Sequence, residues 1–218
     1  LTRSSAASDV YKRQARDISV NIRYWKSKSP DAKWRWISYD QDSWYTAQEE
    51  SLNYYLDKKK VFLFERLMKN QTFREDWINR MCDYLNKGFK AQNVISLVDK
   101  ITERIAIEVD RDRIRWQDSM LYIKKGERIS WIKDYAVKRP EFIRKHIIDY
   151  FKLDHGVSDI KVIQNVSMGH VRINSIDIHE SLWTGKYIED IPIHIEAIPN
   201  KGYAFDRWKG KSLSLIHI

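Results

Sequence analysis

The segment from Lys33 to Asp42 constrains the fold most, because its residues alternate with the period of a β-strand. The alternation stops at Asp40, and a second carboxylate, Asp42, follows at once beyond Gln41. We therefore expect an extended strand that ends in two acids. Its two faces carry different residues, Trp34 and Trp36 on one and Arg35, Ile37 and Tyr39 on the other.

Paired carboxylates at the end of a strand can hold a divalent cation. Mg²⁺ binds one or two carboxylates together with phosphate oxygens and water. The alternative is structural, since aspartate is a common turn residue and Asp40 and Asp42 would then simply end the strand. Spacing alone favours this structural interpretation.

A second alternating run, Val20 to Trp25, precedes this strand. The residues that join the two runs include Ser29-Pro30-Asp31, which has the composition of a turn. The sequence therefore predicts an antiparallel β-hairpin. Antiparallel pairing brings the start of the first strand beside the end of the second, so we expect Asn21 to lie close to Asp40.

These motifs resemble the second half of the CotH spore-coat kinase family. The resemblance covers only the carboxyl-terminal part of such a domain. It implies a kinase-like fold that uses ATP and Mg²⁺ (Mn²⁺ is the alternative ion) to phosphorylate Ser or Thr of an extracellular or coat protein. It is carried by Asn21-Ile22-Arg23-Tyr24-Trp25-Lys26, by Ser29-Pro30-Asp31 and Lys33 to Asp42, and by the helices from Val61 to about Leu153.

The resemblance also implies roles for individual residues. Asp40 would bind a metal ion that bridges to the ATP phosphates, Asn21 would hold a second ion, and Asp42 would be a further metal ligand. Protein kinases place a catalytic Asp five residues before that Asn, where this chain has Arg16. Asp17, one position closer, is the remaining candidate. Asn21 could equally be a hydrogen-bonding residue at the start of a strand.

Helical periodicity follows the hairpin. A capping box at Thr72 to Glu75 is expected to open a helix that ends at Gly88, and Pro140 is expected to divide the last helical stretch into two helices. The predicted helices are Lys59 to Lys69 with Phe62, Leu63, Leu67 and Met68 on one side, Thr72 to Lys87 with Trp77, Met81, Tyr84 and Leu85, a segment reaching Trp116 with Val94, Leu97, Val98, Ile101 and Ile105, Glu127 to Arg139, and Pro140 to Lys152.

Two side chains in this helical part are chemically reactive, but the residues around them in sequence do not indicate a functional site. Cys82 lies among apolar residues at helical spacing, so we expect a buried hydrophobic residue rather than a reactive thiol. His146 has no Cys or His at ligand spacing, so we expect it to pack against a helix or lie on the surface.

Beyond Gly156 the periodicity changes from helical to alternating, which we take as a domain boundary. The pattern from Ala197 to Gly210 resembles a small β-repeat of bacterial surface proteins, related to internalin B-repeats, and implies a spacer or adhesion module. The histidines are scattered, so no metal site is expected there. Strands are predicted at Ile160 to Ile163, His170 to Asn174, Pro192 to Ile198 and Phe205 to Trp208, with a turn at Pro199 to Tyr203 and histidines at His155, His170, His179 and His194.

The predicted fold class is α+β. A β-hairpin and a mostly helical lobe of a kinase-like fold are expected in residues 15–155, followed by a small all-β module in residues 156–211. Residues 1–14 and 212–218 resemble translated sequencing-adapter read-through and are expected to be disordered. We expect the remainder to be an internal fragment whose ATP-binding lobe and phosphate-anchoring Lys precede Ala15, and which is inactive by itself.

Composition and charge exclude little else. The formal charge is +9, but 39 basic residues are interspersed with 30 acidic ones and no basic run exceeds Lys58-Lys59-Lys60, so nucleic-acid binding is not expected. No apolar run approaches the ~20 residues that cross a bilayer, so no membrane span is expected. The resemblance implies a bacterial surface or spore-coat location. A non-catalytic surface or structural protein on a kinase-like scaffold is the alternative, favoured by Arg16.

Overall fold

A computed structural model describes residues 22–38, 46–50, 52–53, 56, 62–116 and 125–210. Its architecture is α+β, as predicted, with small antiparallel sheets and four helices in the described part. The elements are β1 (Ile22–Trp25), β2 (Arg35–Ser38), α1 (Phe62–Lys69), α2 (Gln71–Asn86), α3 (Ala91–Trp116), α4 (Lys125–Phe151), β3 (Val157–Ile163), β4 (Gly169–Ile173), β5 (Ile176–Ile178), β6 (Leu182–Ile188) and β7 (Ile195–Pro199).

Strands β1 and β2 form the predicted antiparallel hairpin, with Ile22 opposite Ser38 at its open end. At its closed end the amide of Ala32 donates to the carbonyl of Ser29 at 3.1 Å, the hydrogen bond that closes a β-turn. Pro30 lies inside this turn, where its fixed φ is favourable. The hairpin therefore places its first and last residues, Ile22 and Ser38, side by side.

Helix α2 forms the centre of the helical layer. Trp77, Met81 and Leu85 are buried on one face, as the spacing predicts, and the ring of Phe64 meets Trp77 edge-on with centroids 5.7 Å apart. Cys82 is fully buried, and burial raises the pKa of its thiol to about 11. The prediction of a packed, unreactive cysteine is therefore confirmed in this structure.

Helix α1 turns a different face to the core than its apolar residues suggest. Phe64 and Met68, one turn apart, pack inward, whereas Leu63 is 50% exposed. The prediction that Leu63 shares the buried side is wrong. Three consecutive apolar residues leave the direction of the buried face open, and the contact with Trp77 selects the face that carries Phe64.

The amino terminus of α2 is capped two residues earlier than the capping box predicts. Asn70 has an extended backbone, and its Oδ1 accepts from the amide of Phe73 at 2.9 Å. Glu75 is engaged by the side chain of Gln71 at 2.8 Å. Thr72 already lies inside the helix, so the predicted box is wrong, because an asparagine in reach of the same free amides starts the helix first.

Substitutions at Asn70 and Thr72 should show which of the two residues caps α2. Asn70→Ala is expected to lower the free energy of unfolding by about 1 kcal/mol, since it removes the acceptor for the Phe73 amide. Thr72→Ala is the matched control and should change stability by less than ~0.5 kcal/mol. Urea denaturation measures both. A larger effect at Thr72 than at Asn70 would contradict the observed cap.

Helix α3 runs to Trp116, as predicted, but its apolar stripe is not covered by the described residues. Leu97, Ile101 and Ile105 are 57%, 49% and 45% exposed. The helix is held to α4 in part by an ion pair between Asp99 and Lys133 at 2.5 Å. Periodicity shows which residues share a face and not whether another element covers it. Helical periodicity placed Val94, Leu97, Val98, Ile101 and Ile105 on one face, and three of these five residues are exposed in the described part of the chain.

A single helix, α4, spans the stretch that the sequence divides at Pro140. Proline lacks the amide that would bond to Ala136, and its ring crowds the preceding turn, at a cost of about 3 kcal/mol. Buried residues lie on both sides of it, among them Tyr135 and Ala136 before and Ile143 and Ile147 after. Packing of both halves outweighs the local cost, so the prediction of two helices is wrong.

Pro140→Ala is expected to stabilise the protein. The substitution restores an amide inside α4 and offsets part of that gain by freeing the unfolded chain, so the free energy of unfolding should rise by about 2 kcal/mol. Denaturant unfolding monitored by circular dichroism provides the measurement. A fall in stability would show that the helix depends on the proline ring.

The strands after α4 form two small sheets. Strand β3 pairs with β6 from Val157–Ile188 to Ile163–Leu182, and β4 lies between β5 and β7. The expected strands near 160, 170 and 195 are present, but residues 205–208 have no regular structure, so the predicted closing strand is wrong. There the rings of Phe205 and Trp208 contact each other, 4.8 Å between centroids, in place of a backbone ladder.

The apolar alternation does not predict strand β6, because Gly185 interrupts it. Trp183 and Tyr187 are buried on one face, and Gly185 lies between them on that face. A Cβ at Gly185 would lie 2.1 Å from the ring of Trp183, so the indole occupies the space of the missing side chain. The sequence pattern shows only a glycine at this position, whereas in the structure the position lies on the buried face of β6 and is covered by Trp183.

Candidate functional site

The predicted site residues Asp17, Asn21, Asp40 and Asp42 all lie outside the described residues. The structure describes the elements that border them. Strand β1 begins at Ile22, directly after Asn21, and β2 ends at Ser38, two residues before Asp40. Since Ile22 and Ser38 are register partners, the chain enters and leaves the hairpin at neighbouring points.

The chain that follows the two aspartates returns to the core. Ala47 is 6% exposed, and Leu52 and Leu56 are 1% and 3% exposed. The carboxylate of Glu50 accepts from the amides of Leu52 at 2.8 Å and Asn53 at 2.9 Å, which satisfies free amides of a short helical turn. This anchoring was missed, because residues 43–57 show no sustained period.

Arg139 of α4 holds this returning segment by its backbone. The side chain is 1% exposed, and its Nη1 donates to the carbonyls of Ala47 and Glu49 at 2.7 Å each. Its guanidinium lies 5.9 Å from the ring centre of Tyr135, whose pKa burial raises to about 12. Hydrogen bonds from a charged donor are among the stronger ones, so α4 fixes residues 47–49 firmly. From the sequence, Arg139 was predicted only as the last residue of a helix, and this contact with residues 47–49 was missed.

His146, two turns further along α4, touches the same segment. It is 8% exposed, so of the two expected positions, packed or on the surface, it takes the packed one, and it interacts with the backbone of Gln48. Burial, followed by the charge of Arg139, lowers its pKa to about 4. The imidazole is therefore neutral at physiological pH.

The depressed pKa of His146 predicts a specific acid sensitivity. The folded state resists protonation, so the contribution of this residue is present above about pH 6.5 and is lost as the pH falls towards 4. His146→Gln cannot titrate and should flatten the fall in unfolding free energy between pH 6.5 and 4. His194→Gln removes a histidine from an exposed position and is the matched control. Equal profiles for both variants would contradict the assignment.

Other histidines come together without forming a metal centre in the described chain. The rings of His170 and His179 lie 4.7 Å apart, because β4 and β5 pair with Val171 opposite Ile178. His155 instead contacts Asp190 at 2.5 Å. Within the described ranges, no group of three His, Cys, Asp or Glu side chains could hold a metal ion. No helix in that part has the length and apolar character to cross a membrane.

A β-hairpin followed by a mostly helical layer is the arrangement expected for the carboxyl-terminal part of a kinase-like domain. The family model described as CotH kinase protein matches residues 6–143, and the chain belongs to this family. No curated protein and no solved structure matches the chain. The match begins inside residues 1–14 and ends within α4, so strands β3 to β7 lie beyond it. The resemblance of those strands to a surface β-repeat stays a prediction.

Proposed function

We propose that this chain is part of a CotH-type protein kinase that transfers the γ-phosphate of ATP to Ser or Thr of coat or extracellular proteins. The observation that carries the proposal is the family match over residues 6–143. Kinases of this kind use ATP with a divalent metal and act on proteins, and the family is associated with the spore coat. A spore-coat or bacterial surface location is the matching proposal for this protein.

The proposed metal ligands have suitable chemistry. Asp40 and Asp42 offer carboxylate oxygens and Asn21 an amide oxygen, the donor types that Mg²⁺ or Mn²⁺ accepts. A bound ion would neutralise charge on the nucleotide phosphates. In this proposal Asp40 and Asn21 hold the ions, Asp42 adds a ligand, and Asp17 orients the acceptor hydroxyl.

The hairpin supports this assignment through chain connectivity. Ile22 and Ser38 are paired, Asn21 is bonded to Ile22, and Asp40 follows Ser38 by two residues. Along the chain, Asn21 and Asp40 therefore adjoin the two paired residues at the open end of the hairpin. Arg139 then fixes the backbone at Ala47, a few residues beyond Asp42, so the segment that carries the aspartates is bounded on both sides.

Asp40→Asn tests the metal assignment. In the natural gene product that contains this chain, we expect phosphate transfer from labelled ATP to a Ser-rich acceptor, and a loss of at least about a hundredfold in Asp40→Asn, the effect of removing one electrostatic group from an active site. Asp31→Asn is the control, because Asp31 is an exposed acid in the hairpin turn and should leave the rate within about twofold. Transfer that survives Asp40→Asn would remove Asp40 from the mechanism.

A non-catalytic surface or structural protein is the second candidate. It is favoured by Arg16, which stands where kinases place the catalytic Asp. Titration calorimetry of the same gene product distinguishes the two. Uptake of ATP that depends on Mg²⁺ supports the kinase, and no uptake with or without the ion supports the structural protein.

A further inference from the structure

Helix α2 presents a buried carboxylate to the strands that follow α4. Asp83 is 3% exposed, and the donors that the described residues supply to its carboxylate come from beyond residue 156. It accepts from the hydroxyl of Tyr187 at 2.9 Å, from the amide of Ser175 at 3.1 Å, from the Ser175 hydroxyl, and from Nδ2 of Asn174 at 3.5 Å. A buried carboxylate is tolerated only with such donors, so α2 depends on these strands.

The turn that reaches Asp83 is shaped for this contact. Asn174 has φ +48°, a left-handed conformation that asparagine tolerates better than most residues. It joins β4 to β5, so that Ile173 pairs with Ile176 across a two-residue turn and the amide of Ser175 points at α2. Asn174 also exchanges two hydrogen bonds with His194, at 2.7 and 2.8 Å.

One turn further along α2, the side chain of Asn86 hydrogen-bonds the backbone of β6 as a neighbouring strand would. Its Nδ2 donates to the carbonyl of Lys186 at 3.0 Å, and its Oδ1 accepts the amide of Lys186 at 2.9 Å. Arg144 of α4, which is 6% exposed, donates to the same Oδ1 at 2.9 Å. The main-chain groups of Lys186 at the edge of the sheet are thereby satisfied by the helical layer.

Contacts at the rim and in the core extend this surface. Nδ2 of Asn79 donates to the carbonyl of Pro192 at 2.7 Å, and Nζ of Lys87 reaches the carbonyl of Asp177 at 3.4 Å. The hydrophobic core is shared, since residues of α2 and of β4 to β6 belong to one buried cluster. Burial raises the pKa of Asp83 despite its hydrogen bonds and lowers the pKa of Arg144, as expected for groups withdrawn from water.

We propose that the face of α2 formed by Asn79, Asp83 and Asn86, together with Arg144, is a docking surface for residues 157–192 of the same chain. These strands are then a fixed part of the helical lobe and not a tethered module. The cooperative unit extends about fifty residues beyond the end of the family match. This inference does not depend on kinase activity. If residues 152–156 were the only link between the two parts, the strands would not supply donors to the acceptors on α2.

A cleavable junction in the full chain tests the docking. A protease site inserted between Leu153 and Asp154 allows the folded protein to be cut there, followed by size-exclusion chromatography. We expect the two pieces to elute together after cutting. Asp83→Ala should weaken their association about tenfold or more, because the donors of Ser175 and Tyr187 lose a charged acceptor. Asp134→Ala removes an exposed acid that pairs with Lys138 on α4 and is the matched control.

Two outcomes of the cleavage experiment would overturn the proposal. Separation of the wild-type pieces on cutting would show a tethered module, and equal behaviour of Asp83→Ala and Asp134→Ala would show that this surface does not hold the strands. Tyr187→Phe keeps the ring and removes only the hydroxyl that donates to Asp83, so it serves if Asp83→Ala fails to fold. Uncut Tyr187→Phe should unfold in urea in one transition at a lower midpoint than wild type. Two separate transitions would contradict a single cooperative unit.

Discussion

Two buried arginines on one helix hold the described structure together. Arg139 and Arg144 of α4 are 1% and 6% exposed, and burial of a cation is costly unless hydrogen bonds offset part of the lost hydration. Arg139 donates to backbone carbonyls of the segment that follows the candidate aspartates, and Arg144 donates to Asn86 at the edge of the strand layer. Helix α4 thus connects the region of the proposed chemistry to the region beyond the family match. Pro140 lies between the two arginines, and the helix continues through it because both ends are held.

Helix α4 holds the backbone that follows the candidate aspartates in sequence. Residues 47–49 are fixed by hydrogen bonds to a charged donor, and the neutral His146 fills the space beside them. The hairpin precedes the candidate aspartates in sequence and is held by the pairing of Ile22 with Ser38. The candidate residues thus adjoin, along the chain, two described parts that hydrogen bonds hold in place.

Local patterns predicted the elements better than the contacts between them. The hairpin, the span of α2 and the buried Cys82 follow from alternation, helical spacing and turn chemistry, which act over a few residues. The failures concern what distant parts of the chain do. Pro140 stays inside a helix because of packing on both sides, Leu97 is exposed because no described element covers it, and Arg139 binds carbonyls ninety residues away in sequence. For the candidate site, the sequence shows that Asp40 and Asn21 carry oxygen donors, and both residues lie outside the described ranges.

The lone cysteine gives the molecule a built-in reporter of its own opening. The Cys82 thiol sits on α2 beside Asp83, is fully buried, and has a pKa of about 11, so the closed form presents almost no thiolate to a reagent in neutral solution. Alkylation at this single sulfur therefore proceeds only through molecules whose helix has parted from its neighbours. The rate of that labelling would count opening events of the lobe without any engineered probe.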